Sequence, residues 1–88
     1  MPTNSRFFGI LIIMYFREGF NEEPHFHVRY NEFDAKISIK NFSILKGKLP
    51  PRAIGLVTEW ASLHQDELLE NWERIKIGEP LSKIEPLS

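Results

Sequence analysis

The sequence has 88 residues, 42% hydrophobic and 26% charged, which suits one small globular domain over 1–88 and excludes a disordered chain. Eleven Lys and Arg stand against twelve Asp and Glu, a formal net charge of −1, so a strongly basic nucleic-acid binder is disfavoured. The absence of Cys removes disulfides, thiol catalysis and Cys-ligated zinc, and a chain this short buries only roughly 60–65% of its unfolded surface, so a partner or a dimer would help it.

The first apolar run is Phe7 to Phe16. A single Arg precedes it, but Arg17, Glu18 and Gly19 follow where a signal peptide would need small residues. The run is also too short to span a bilayer, which takes about 20 residues. The expectation is a cytoplasmic protein with no membrane segment. Aromatic and β-branched residues favour a strand over about 7–16. Both of its faces are apolar, with Gly9 leaving a gap on one, which predicts a central strand covered on both sides. Arg17 to Pro24 reads as a polar loop.

His25 to Tyr30 alternates, with Phe26, Val28 and Tyr30 on one face and His25, His27 and Arg29 on the other. Phe33 to Lys40 alternates as well. Asn31-Glu32 would make a two-residue turn, pairing Tyr30 with Phe33, Val28 with Ala35 and Phe26 with Ile37. The same turn pairs Arg29 with Asp34, His27 with Lys36 and His25 with Ser38, so apolar meets apolar throughout. A short fourth strand over 43–46 follows, with a turn at Gly47. Pro50-Pro51 opens a helix that runs over about 51–76 and stops near Gly78. Its apolar arc collects Ala53, Ile54, Val57, Trp60, Ala61, His64, Leu68, Trp72 and Ile75. The segment 79–88 is an extended tail that Leu81, Ile84 and Leu87 could dock along a groove. The predicted fold is α+β: a four-stranded, mostly antiparallel sheet followed by one long C-terminal helix packed on it.

Several stretches are similar to a known family. Met1-Pro2-Thr3 with Ser5-Arg6-Phe7, Pro24-His25-Phe26-His27-Val28 with Tyr30, and Gly47 to Ala53 are three of them. Glu59-Trp60-Ala61 with Leu63-His64, Glu67-Leu68 with Asn71-Trp72, and Lys83 to Leu87 complete the pattern. Together they resemble the bacterial domain-of-unknown-function family 4160 over nearly the whole chain. Glu18 to Glu23 is longer than in the family's usual form, and Asn31 stands where Gly is common. The resemblance carries no activity. It implies a genetic neighbour, a small protein of domain-of-unknown-function family 2442, in pairs described as toxin–antitoxin-like modules.

The residues themselves offer three chemistries. His25 and His27, two apart on a strand, share a face about 6–7 Å apart and could chelate a metal, with His64 as the third ligand. The helix arc places His64 on the other side of the sheet, where a core histidine bonded to backbone is the plainer reading. No Asp or Glu stands at an obvious spacing to orient any of the three. Second, His25, His27, Arg29, Lys36 and Lys40 would form a basic binding patch on the sheet, opposed only by Asp34 and extended by Arg17. Such a patch could contact phosphate, and His25, His27 and Arg29 could cleave RNA by acid–base chemistry. The plain alternative is a solvated strand face. Third, Leu56 and Leu63 lie on the polar side of the helix with Trp60 at its edge. With a spare apolar face of the first strand, they suggest a protein interface. The partner would be a second small protein or a second copy of this chain.

There is no G-x-G-x-x-G, no P-loop and no serine in a nucleophile elbow. Glu59, Asp66, Glu70 and Glu73 read as a solvated helix face. No cofactor is called for. The sequence favours a binding or regulatory protein acting through protein–protein contact. The rival is a small RNA-binding or RNA-cleaving toxin.

Overall fold

The computed structural model describes residues 3–15 and 22–87. Five strands come first: β1 (Thr3–Phe7), β2 (Ile10–Ile13), β3 (His25–Tyr30), β4 (Phe33–Ser38) and β5 (Ile44–Gly47). Two helices follow, α1 (Pro51–Leu63) and α2 (Gln65–Ile77). Sheet order equals chain order, and every neighbouring pair is antiparallel. The α+β class stands, with five strands and two helices rather than four strands and one helix.

The extra strand comes from Gly9. Phe8 and Gly9 take φ of 49° and 78°, the left-handed conformation that closes a two-residue hairpin. The apolar run therefore folds back, and Phe7 pairs with Ile10 instead of preceding it along one strand. The predicted 7–16 strand is corrected accordingly. Its extended part stops at Ile13, and Phe16 lies outside the described residues. β2 keeps apolar residues on both faces and lies inside the sheet between β1 and β3, as expected. Ile10 and Ile12 enter the core under the helices, while on the opposite face Leu11 is half-buried and Ile13 is buried, so that apolar face is not left open.

The β3–β4 hairpin has the predicted register at all six pairs, from His25↔Ser38 to Tyr30↔Phe33. Asn31 supplies the positive φ its turn needs, at 52°. β4 ends at Ser38, two residues before the predicted end. There the chain turns, with the Phe42 N–H donating to the Ser38 carbonyl at 2.9 Å. β5 then pairs Lys46 with Lys36 and Ile44 with Ile37, an irregularity that leaves Leu45 as the extra residue. Gly47 has φ 82°, and a Cβ there would collide with the Asp34 carbonyl oxygen, so only glycine fits.

Pro51 at the first helical position starts α1 as predicted. The helix breaks at His64, which has φ −126° and ψ 23°. Its N–H bonds the Ala61 carbonyl while its own carbonyl accepts from Leu68, so one residue ends a helix and begins the next. The Gln65 side chain donates to the Ile39 and Lys40 carbonyls at 2.8 and 3.1 Å, tying the break to the β4–β5 turn. Asp66 and Glu67 lie in the first turn of α2, where the helix dipole favours acids. Gly78, left-handed at φ 76°, caps its end.

Both helices cover one face of the sheet. Trp60, fully buried, lies 5.5 Å from the Phe7 ring and 6.0 Å from the Phe26 ring, centroid to centroid. Val57, Leu68, Trp72 and Ile75 complete the layer over Ile12, Val28 and Ile37. The tail docks as predicted. Ile84 is buried, with Leu81 and Leu87 packed against the core. Its backbone crosses β1, where the Ile84 N–H donates to the Asn4 carbonyl at 2.9 Å. Asn71, buried on α2, donates to the Ser82 carbonyl and accepts from the Ser82 N–H, both at 2.9 Å. The Trp60 indole N–H donates to the Glu85 carbonyl at 2.8 Å.

Candidate functional site

Helices on one side leave the other side of the sheet as the place where charged side chains collect. The register sets them in rows. One row runs Arg6, Leu11, Arg29, Asp34 across β1 to β4. The next runs Ile13, His27, Lys36, Lys46 across β2 to β5. Arg29 and Lys36 are thus where the sequence puts them. Arg6 and Lys46 join them, and the sequence analysis missed both. Arg6 needs the Gly9 hairpin to bring β1 alongside β2. Lys46 needs the irregularity at Leu45, which a strict alternation does not foresee.

Two members of the predicted patch drop out. His25 is 1% exposed. Its ring meets that of Trp72 at 4.8 Å, and its Nδ1 lies 3.0 Å from the Glu23 carbonyl, which can only accept. It serves packing rather than an open surface. Lys40 follows the end of β4 and sits in the turn, off the strand face. Arg17 lies outside the described residues. His27 remains, half-buried, edge-on to Tyr15 at 4.8 Å and to His25 at 5.2 Å.

The cations are not alone. Lys36 donates to Glu22 at 2.7 Å. That hydrogen bond holds the Glu22 carboxyl below its ordinary value, and the charges of Lys36, His25 and His27 pull the same way. Ser38 donates to Glu23 at 2.8 Å. Asp34, Glu22 and Glu23 therefore temper the basic character that His25, Arg29 and Lys36 suggest in sequence.

Among the described residues no group of three or more His, Cys, Asp or Glu is placed to hold an ion. His64 stands on the helix side, with its ring 5.5 Å from that of Trp60. Its Nδ1 lies 2.7 Å from Glu67 Oε1. This corrects two expectations: the partner of His64 is a carboxylate rather than backbone, and that carboxylate stands three residues away in sequence.

The predicted interface of Leu56, Trp60 and Leu63 comes apart. Trp60 belongs to the core, and Leu56 is half-buried against it. Only Leu63 stands out, 67% exposed. A second apolar pair appears on β5, where Ile44 and Leu45 are 37% and 40% exposed and all four residues of the strand face solvent. Sequence reasoning missed it because a short strand at an unknown place in the sheet cannot be read as an edge.

The family model described as Domain of unknown function (DUF4160) matches residues 9–73. The chain belongs to the DUF4160 family. No curated protein and no solved structure matches it. The matched stretch takes in β2 to β5, α1 and most of α2, and stops short of β1 and the tail. The row from Ile13 to Lys46 and the exposed β5 lie inside the DUF4160 match. Arg6 lies outside it. Among the described residues of this DUF4160 chain, no helix is long and apolar enough to cross a membrane.

Proposed function

We propose that this DUF4160 protein is a binding module that works through contact with a second small protein, as one component of a toxin–antitoxin-like pair. The partner class is the one the family resemblance implies, a protein of domain-of-unknown-function family 2442. The observation that carries the reading is β5: an outermost strand, exposed along its length, with two adjacent apolar side chains. Unpaired edges of this kind are a common way for one protein to take hold of another. The helix stripe supports it less, since Leu63 alone is exposed there and Glu59, Ser62 and Glu67 surround it. The nucleolytic reading loses its support from His25, whose ring is buried and whose Nδ1 is tied to backbone.

The test is native mass spectrometry of the untagged chain expressed at its natural level. The expected result is a complex with one second small protein at fixed stoichiometry. A monomer or a homodimer alone overturns the reading. Leu63→Glu, at an exposed position, is expected to leave fold and complex intact. Loss of the complex in that variant moves the contact from β5 to the helices.

A further inference from the structure

We infer that β5 accepts an extended, carboxylate-bearing segment of the partner as a sixth strand, and that Lys46 reads its charge. This inference rests on the binding-module reading and names the chemistry of the partner at that surface.

The two outermost strands differ. β1 is crossed by the tail at Asn4. β5 has no neighbour on its outer side among the described residues. Its inner neighbour sets a charge problem. Lys36 and Lys46 face each other across β4 and β5, with His27 next in the row. Neighbouring strands lie about 4.8 Å apart, and like charges directly opposite destabilise a sheet. Glu22 answers Lys36 at 2.7 Å. Lys46 has no ion pair among the described residues, and its free side is the outer one. A residue of an added strand opposite Lys46 would stand one strand spacing away, and a carboxylate there would complete the row. Shallow depressions flank the position. One is lined by His27, Asp34, Lys36, Lys46 and Gly47, the other by Glu22, Glu23, His25, Lys36 and Leu45.

Edge lysines and irregular pairing are also the devices by which sheets avoid sticking to one another. β5 has both, with Lys46, the extra Leu45 and the left-handed Gly47. The lysine acts against a second copy of this chain, whose β5 would bring lysine towards lysine. It does not act against an acidic strand, for which it is an attraction. The edge thus selects by charge. Ile44 is paired with Ile37, whose side chain lies in the core on the helix side, so an apolar residue of the added strand would meet it there. The segment that fits alternates carboxylate and apolar side chains.

The experiment uses the full chain, isotope-labelled, with three probes: a short peptide alternating Val and Glu, its Val and Lys counterpart, and a single-stranded uridine oligomer. The expected result is that the Glu peptide shifts the amides of Ile44 to Lys48 and slows their hydrogen exchange. The Lys peptide binds about fivefold more weakly or worse. Lys46→Glu inverts that preference while the far-ultraviolet spectrum stays unchanged. Equal affinity for the two peptides, no binding at millimolar peptide, or shifts mapped away from β5 each overturn the inference. So does capture of the same amides by the uridine oligomer, or self-association of the chain through β5 in sedimentation. A native complex whose exchange protection lies outside β5 overturns this inference alone and leaves the binding-module reading in place. Absence of any complex overturns the reading itself.

Discussion

Asn71→Asp tests whether the tail is held as the structure describes. Asn71 is 1% exposed, and its amide makes two hydrogen bonds with the backbone of Ser82, one given and one received, both at 2.9 Å. Aspartate keeps the shape and the accepting oxygen. It loses the donor and sets a carboxylate oxygen against the Ser82 carbonyl. One lost hydrogen bond contributes about 1 kcal/mol, and a buried acceptor facing another acceptor adds about 1–3. The total is about 2–4 kcal/mol, a large share of the roughly 5–15 kcal/mol that holds a domain together. At about 4–8 °C per kcal/mol for a domain of this size, the melting temperature falls by about 8–32 °C at neutral pH. Part of that loss reverses in acid. A carboxyl in this position is easier to protonate folded than unfolded, because the protonated form can donate to Ser82. Its folded pKa is raised, so the variant recovers stability relative to the parent as pH falls through that raised value towards the ordinary value of about 3.9. Thermal melts of both proteins from neutral pH to about pH 4, with hydrogen exchange at Ile84, read both effects. A melting temperature within a few degrees of the parent at neutral pH, or a deficit that does not shrink in acid, refutes the account of the tail.

Phe8→Asn is expected to stabilise the protein by about 0.5–1 kcal/mol, since Asn tolerates a positive φ that Phe adopts only with strain. Phe8 is largely exposed, so little packing is lost, and a fall in melting temperature would show that its contact with Phe7 outweighs the strain. Titration of Glu22 by nuclear magnetic resonance is expected to place its midpoint below the ordinary value of about 4.3, and Lys36→Met to raise it. Because the folded value is the lowered one, this pair favours folding above the ordinary glutamate value, and the contribution disappears as pH falls through the folded value. An unchanged midpoint in Lys36→Met would remove Lys36 as the cause.

What the sequence discloses follows from the range of the interaction that decides each element. The β3–β4 register is local: a two-residue turn fixes it, and the alternation of Phe26, Val28, Ala35 and Ile37 admits no slip. Pro51 and Gly78 mark helix ends for equally local reasons. The break at His64 is not local. The apolar arc keeps its period from Trp60 through Leu68, while the break is tied by Gln65 to carbonyls that lie 25 and 26 residues earlier. The β1–β2 hairpin was locally legible, because a single Gly9 inside an apolar run is a turn residue before it is a gap in a strand. Of the candidate site, Arg29 and Lys36 could be read from strand alternation. The burial of His25 could not, because it depends on Trp72, which no spacing rule brings to the start of β3. The exposure of β5 follows only from its place as the last strand of the sheet.

The tail also bears on how the protein is made. Asn4 and Ser82 are 78 positions apart, yet a side-chain hydrogen bond joins them. A ribosome delivers β1 early and the tail late. During synthesis all five strands can pair while the Trp60 indole and the Asn71 amide still lack the Glu85 and Ser82 backbone groups that satisfy them. The polar contacts of β1, Trp60 and Asn71 with the tail therefore form only after the segment from Ser82 to Glu85 has emerged.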